Sequence, residues 1–90
     1  MRKKAVALKY DPKLGPQNGE SPMVTAKGAG YIAEEILRRA AEAGVYIHED
    51  RDLVEVLSKV DLGSEIPESL YEAVARVLAM VYKFNKDFVD

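Results

Sequence analysis

The sequence predicts an α/β domain, in which a small mixed β-sheet of about three strands packs with three helices. Two observations lead to this fold class. Short stretches of alternating apolar residues, typical of strands, occur in the first half of the chain, and longer stretches with helical spacing follow residue 30. The chain has 90 residues, of which 48% are hydrophobic and 31% charged, as in ordinary globular domains. We therefore treat residues 1–90 as one domain.

The N-terminal third contains two predicted strands separated by a loop. A short basic segment, residues 1–4, leads into AVALKY at 5–10, where alternate side chains point to opposite faces of a sheet. The next stretch, residues 11–22, holds three prolines and two glycines and predicts a flexible surface loop. MVTAK at 23–27 is the second predicted strand, because its β-branched residues favour extended backbone.

A helix and a third strand are predicted next. The helix covers YIAEEILRRAAEAG, residues 31–44, and Gly44 suits a left-handed cap at its end. Its expected buried face comprises Ile32, Ile36, Leu37 and Ala40. VYIHE at 45–49 would form the third strand. It would lie parallel to the second, because a strand, a helix and a strand in succession make a right-handed crossover.

The C-terminal half predicts two more helices. Asp50 suits the N-cap of a short helix at 51–60, RDLVEVLSKV. Pro67 suits the first position of the last helix, where its missing N–H would have no partner. The last helix carries apolar residues at helical spacing, namely Leu70, Val74, Val77, Leu78 and Val81. This stripe predicts that the helix packs against the core.

Charge is distributed unevenly, although the net charge is only −2. Residues 1–30 carry six basic and two acidic side chains, whereas residues 31–90 carry seven and thirteen. One hypothesis is a binding module for nucleic acid or an acidic partner, with contacts from Lys3, Lys4, Lys9 and Lys13. The alternative, which we favour, is that these lysines protect an exposed strand edge, because no aromatic or arginine cluster accompanies them.

The residues give little support for catalysis. Without cysteine, the chain offers neither disulfides nor thiolate ligands, and with a single histidine a zinc site would have to rely on carboxylates, which we do not expect. His48 and Glu49 are the only acid–base pair worth weighing, and a surface histidine near a turn is the commoner explanation. We predict a protein that is not an enzyme and needs no metal or cofactor. No apolar stretch is long enough to span a bilayer, so we expect a cytoplasmic chain.

Four segments resemble one family in its own order and spacing. They are AVALKYDP, AKGAG, HEDRDLVEVL and LGSEIPESLYEAVARVLAMVY. Together they are similar to the C-terminal cytoplasmic domain of the FlhB/YscU family, membrane proteins of flagellar and type III export. The resemblance runs from about Lys4 to Phe84. It implies a non-enzymatic interaction module of that export apparatus, acting in the cytoplasm beside the inner face of the membrane.

The family's self-cleavage motif is the main difference. Family members cleave themselves at an Asn-Pro-Thr-His loop before the first strand, an event tied to switching export specificity. Met1, Arg2 and Lys3 stand where the last three of those residues would be. The resemblance therefore predicts a stand-alone, non-cleaving domain without the family's membrane helices, equivalent to the fragment that follows the cleavage point.

Two contact surfaces follow from the resemblance. The family is thought to bind a short apolar segment of early export substrates in a shallow pocket. The matching residues are Pro22, Ala75 and Leu78, although Ser21 stands where the family has a small apolar residue. Leu78 can also be read as ordinary core.

The second surface is the edge of the first strand, comprising Ala5, Val6, Ala7, Leu8 and Lys9. In the family an upstream strand pairs in the sheet, so this edge would accept a strand from a truncated FlhB-like protein. The alternative is that the basic N-terminus shields the edge. The expected partners are export-gate components, a truncated FlhB-like protein and export substrate segments, and we expect no nucleic acid.

Overall fold

A computed structural model of the chain describes residues 3–10 and 21–89. Its elements are β1 (Lys4–Lys9), β2 (Met23–Ala29), α1 (Tyr31–Glu42), α2 (Arg51–Leu57), a 3₁₀ turn (Glu68–Leu70) and α3 (Tyr71–Val89). The α/β class and the three helices are therefore confirmed. Of the loop predicted at 11–22, residues 11–20 lie outside the described part of the chain.

The two strands form an antiparallel pair. Lys4 lies opposite Ala29 at one end, and the register shifts beside Ala7, where Thr25 is the extra residue of a β-bulge. The Thr25 hydroxyl donates a hydrogen bond of 3.3 Å to the Ala7 carbonyl across this bulge. Such a bulge raises the local twist of a strand pair.

At its start, β2 pairs on its second edge with the segment before α3. Val24 donates its N–H to the Ser64 carbonyl at 3.0 Å and accepts the Gly63 N–H at 2.7 Å. Ile66 in turn donates to the Pro22 carbonyl at 2.9 Å. A positive φ of 83° at Gly63 allows this segment to turn alongside the strand.

Helix α1 covers one face of the sheet. A side chain at Gly28 would overlap Ile32 of the first turn of α1, so the helix starts directly above the strand. Ala5 lies opposite Gly28 in the neighbouring strand and is buried on the same face. The small residues at these two positions let the helix approach closely.

The hydrophobic core lies on the other face. Its buried centre is formed by Val24, Leu57, Ile66 and Val74. Partly buried side chains surround it, namely Val6, Leu8, Leu53, Val60, Leu70 and Leu78. The core thus joins the sheet to α2 and α3, and the stripe predicted for the last helix contributes Val74 at its centre.

The predicted third strand is wrong. Residues 45–49 have no regular secondary structure, and the sheet in the described part of the chain has two strands. A strand needs a neighbour to take up its backbone hydrogen bonds, and no described backbone group of β1 or β2 pairs with residues 45–49. Val45 and Ile47 remain 58% and 42% exposed.

The helices α1 and α2 start and end near their predicted caps, although α2 ends at Leu57, three residues before the predicted end at 60. Gly44 has a φ of 73°, and the N–H groups of Gly44 and Val45 bond to the carbonyls of Ala41 and Ala40, as in a Schellman cap. The buried face of α1, however, is centred on Ala33, whereas Ile32 is 56% exposed. The last helix also starts later than predicted, because residues after Pro67 first form the 3₁₀ turn.

Candidate functional site

A groove of about 250 Å³ opens between the start of β2 and α3. It is lined by Tyr10, Ser21, Pro22, Ile66, Tyr71, Glu72, Val74, Ala75 and Leu78. Most of these side chains are apolar or aromatic. A concave apolar surface with a few polar groups is the usual form of a protein binding site.

The floor of the groove is fixed by backbone pairing and by helix packing. Pro22 is buried, and its carbonyl accepts the Ile66 N–H, which holds the start of β2 beside the segment before α3. Ile66 and Val74 are core residues, so their lining surfaces are rigid. Ala75 follows Val74 in the helix and is exposed, which places it at the mouth of the groove.

The three predicted pocket residues meet in this groove. Pro22, Ala75 and Leu78 all line it, and Leu78 also packs against the core. Whether they bind a substrate stays a prediction.

Sequence reasoning missed several other lining residues. Tyr71 lies four residues before Ala75 on the same helix face, a spacing that could have identified it. The contribution of Ile66 depends on pairing between distant parts of the chain, and no local pattern indicates it.

Ser21 is the unusual polar residue of the groove. The residue is 8% exposed, and its hydroxyl has no hydrogen-bond partner in the part of the chain that the structure describes. A buried hydroxyl without a partner costs free energy, because it has lost its hydrogen bonds to water. The hydroxyl oxygen itself has almost no accessible surface, so it is enclosed behind the wall of the groove.

The rim of the groove carries one ion pair. Glu72 lines the groove, and its carboxylate lies 3.0 Å from the Arg76 guanidinium one turn further along α3. Both side chains are well exposed, so this pair contributes little to stability. It does place a polar boundary beside Ala75.

The predicted partner edge lies in β1, which has a described strand on one side only. The Lys3 carbonyl accepts the Gly30 N–H at 2.6 Å, so Lys3 points its backbone groups toward the chain continuing β2. The direction of the backbone N–H and C=O groups alternates from one residue to the next along an antiparallel strand. The backbone groups of Lys4, Val6 and Leu8 therefore point to the outer edge. No described backbone group pairs with that edge.

The basic side chains of the strands are partly engaged within the domain. Lys4 lies 2.9 Å from the carboxylate of Glu55 on α2, and its hydrogen bond lowers the pKa of the Glu55 carboxyl. Lys3 and Lys9 are exposed, and Lys13 lies outside the described residues. A basic surface for an acidic partner stays a prediction.

His48 and its acidic neighbours form no evident reaction centre. His48 Nε2 lies 4.0 Å from Asp50 Oδ2, while Asp50 Oδ1 accepts the Leu53 N–H at 3.1 Å and caps α2. The predicted N-cap is thereby confirmed. Among the residues that the structure describes, no group of three or more histidine, cysteine or acidic side chains is arranged to hold a metal ion.

Comparison with known proteins identifies the family. A sequence profile described as the FlhB HrpN YscU SpaS family matches residues 2–81. The Bacillus subtilis protein YlqH is 43% identical over 84 residues, covering 93% of this chain and 86% of YlqH. The flagellar biosynthetic protein FlhB of Helicobacter pylori is 40% identical, over 92% of this chain and 22% of its own length.

Solved structures agree with this match. The cytoplasmic domain of FlhB from Shewanella putrefaciens superimposes with a TM-score of 0.79 and 36% identity, over 92% of this chain and 62% of that one. The PscU C-terminal domain gives a TM-score of 0.75 and 27% identity, over 86% and 94%.

The fold is therefore that of an FlhB-type cytoplasmic domain, and the chain belongs to the FlhB/YscU family. It spans about a fifth of the length of the FlhB relatives that it matches. None of the helices in the described part of the chain has the length and apolar composition that crossing a bilayer requires.

Proposed function

We propose that this domain is an interaction module of a flagellar or type III protein export apparatus, and that it binds an apolar segment of an export substrate in the groove. Membership of the FlhB/YscU family supports the export-related role. The domain acts by binding and not by catalysis, in the cytoplasm beside the membrane-embedded gate.

One observation carries the substrate-binding proposal. Pro22, Ala75 and Leu78, which come from distant parts of the sequence, line one apolar groove. A volume of about 250 Å³ is below the range of pockets for drug-sized ligands. It suits one or two apolar side chains of a peptide, held between β2 and α3.

Ala75→Asp tests this proposal. A carboxylate at the mouth of the groove would have to be desolvated when an apolar segment binds, so we expect a loss of affinity of at least about tenfold. The fold should be kept, because Ala75 is exposed. The measurement is titration with short overlapping peptides from the rod and hook proteins of the same organism.

The matched control is Ala73→Asp, which places the same charge on an exposed position of α3 outside the groove lining. Circular dichroism and urea unfolding of both variants report on the fold. Equal peptide affinities for the two variants, or no binding of any peptide to the unmodified domain, would show that the groove is not the substrate site.

A second binding function is supported by the outer edge of β1. The outward backbone groups of Val6 and Leu8 have no described partner, and Ala5–Lys9 offers a strand length of backbone. We propose that a strand from a truncated FlhB-like gate protein pairs with this edge by strand addition. Pull-down of the tagged domain with a membrane-anchored FlhB, truncated before its own equivalent domain, tests the association.

A further inference from the structure

The rim of the groove is negatively charged on the side of α3. Of the described residues that line the groove, Glu72 alone carries a charge. Residues 63–76, which pair with β2 and then form the start of α3, contain three acidic side chains and one basic one, all exposed. They are Glu65, Glu68, Glu72 and Arg76. A charged residue of a bound peptide would therefore meet a negative potential beside this wall.

The carboxylate of Glu72 is accessible and only partly engaged. Its Oε1 accepts a hydrogen bond of 3.0 Å from Arg76 Nη2, one turn further along the helix, and no described residue donates to its other oxygen. The side chains of Glu72 and Arg76 are 84% and 75% exposed. Because an ionised carboxylate can accept about four hydrogen bonds, Glu72 can bind a second cation and keep Arg76.

The position of Glu72 at the rim decides which peptide residue it can reach. Tyr71, Val74, Ala75 and Leu78 form the wall that α3 contributes to the groove, and Glu72 lies beside them in the first turn of the helix. An apolar side chain that enters the groove leaves its neighbours in the peptide at the rim, in water. Lysine and arginine have long apolar stems, which can lie along the wall while their charge reaches the carboxylate.

We propose that Glu72 selects export-substrate segments that carry a lysine or arginine next to the apolar residues held in the groove. This inference rests on the proposed substrate-binding function and adds to it the charge of the peptide. The carboxylate attracts a basic residue at this position and repels an acidic one, so the groove discriminates between segments of equal hydrophobicity. The contact is exposed to water, so its effect on affinity is modest and weakens as the salt concentration is raised.

Paired peptides test this selection. The probe is the rod or hook peptide that binds the unmodified domain most tightly in the titration described above. Each residue that flanks its apolar segment is replaced in turn by lysine and by glutamate. At one position we expect the lysine peptide to bind about 3- to 10-fold more tightly than the glutamate peptide. Equal affinities at every position would overturn the inference, and tighter binding of a glutamate peptide would identify Arg76 as the residue that recognises the charge.

Glu72→Gln and Glu72→Lys show whether the preference comes from this carboxylate. We expect Glu72→Gln to bind the two peptides equally and Glu72→Lys to prefer the glutamate peptide. Circular dichroism checks that both variants keep the fold, as the exposure of Glu72 predicts. If both variants keep the preference for lysine, Glu72 is not its source.

The matched control is Glu34→Lys, which makes the same change in net charge as Glu72→Lys. Glu34 is exposed on α1, outside the groove lining. We expect this variant to keep the preference for the lysine peptide. A reversal as large as that of Glu72→Lys would show that the net charge of the domain, and not Glu72, sets the preference.

The possible results separate this inference from the function on which it rests. If the unsubstituted peptide binds and Ala75→Asp weakens it, while the lysine and glutamate peptides bind equally, the groove is the site and the charge selection is wrong. If no peptide binds the unmodified domain, the substrate-binding function fails and the charge selection fails with it.

Discussion

Among single side chains, Lys27 links the sheet to the residues that follow α2. Its Nζ donates hydrogen bonds to the carbonyls of Ser58 and Val60, at 3.1 and 2.7 Å. The first carbonyl belongs to the C-cap of α2 and the second lies two residues beyond it, near the end of the helix where the dipole favours a positive charge. Lys27 therefore satisfies two acceptors that lie outside the hydrogen bonds of the helix.

We expect Lys27→Met to lower the free energy of unfolding by about 2 kcal/mol, since methionine keeps the apolar stem but donates no hydrogen bond. Urea unfolding followed by circular dichroism measures the change. Lys59→Met is the control, because Lys59 is exposed on the same connection. Similar losses for the two variants would mean that the contacts of Lys27 add no stability.

At the scale of single residues, the sequence predicts local contacts correctly and misses contacts that depend on how the helices and strands pack. Asp50 was predictable as an N-cap because the bond to Leu53 is local. Ile32 was placed on the buried face because it is large and apolar. In the structure Ile32 packs over Gly28 and stays 56% exposed, whereas Ala33 is fully buried. The position of α1 on the sheet depends on contacts with the strands, which the helix sequence alone does not record.

Helix α1 carries a cluster of charges that responds to acid. Glu35 accepts hydrogen bonds from Arg38 and Arg39, and these bonds lower the pKa of the Glu35 carboxyl to about 2. Arg38 also bonds to Glu42, so the side chains form a connected network along one surface. Such networks contribute more than isolated exposed pairs.

The sign of the pH dependence follows from the lowered pKa. In the unfolded chain Glu35 titrates near its ordinary value of about 4.3, whereas in the folded domain it stays ionised to about pH 2. The contribution of Glu35 to the free energy of unfolding is therefore complete above about pH 5 and is lost as the pH falls toward 2. We expect Glu35→Gln to be less stable than the unmodified domain at pH 7 and equally stable near pH 2.

Thermal unfolding of both proteins between pH 2 and pH 7 measures this convergence. Glu34→Gln, an exposed position in the same helix turn with no ion pair among the described residues, is the matched control. If the difference in stability between Glu35→Gln and the unmodified domain is the same at every pH, the prediction is contradicted.

Helices were more predictable than strands in this domain because their information is local. The apolar stripe around Val74 and the cap at Gly44 lie within one helix each, and both are confirmed. Residues 45–49 have the composition of a strand, but strand formation depends on a partner elsewhere. The groove shows the same limit. Pro22 and Ala75 were predicted as lining residues from the family resemblance, whereas neither the resemblance nor a local sequence pattern predicted Ile66.

The described sheet is asymmetric. The start of β2 pairs on its outer side with residues 63–66, whereas the outer side of β1 has no described backbone partner. Exposed strand edges attract other strands, and proteins usually blunt them with charge or cover them. Lys4 and Lys9 provide charge at the two ends of β1, but Val6 and Leu8 between them have outward N–H groups.

Val6→Pro tests whether this edge accepts a strand. The Val6 N–H points away from β2, so proline removes an outward donor without breaking a hydrogen bond between β1 and β2. We expect affinity for the truncated FlhB-like gate protein to fall at least about tenfold, because the added strand loses a backbone partner and meets the proline ring. Peptide binding in the groove should be unchanged.

Val6→Ala is the matched control, because it loses similar packing against the core but keeps the N–H. Urea unfolding of the two variants shows whether their stabilities are comparable. If the gate protein binds both variants equally, the contact does not use the backbone of β1. Binding would then depend on the lysines of β1, and it should weaken as the salt concentration is raised. If only Val6→Pro loses binding, the partner strand is hydrogen-bonded to the edge of the sheet.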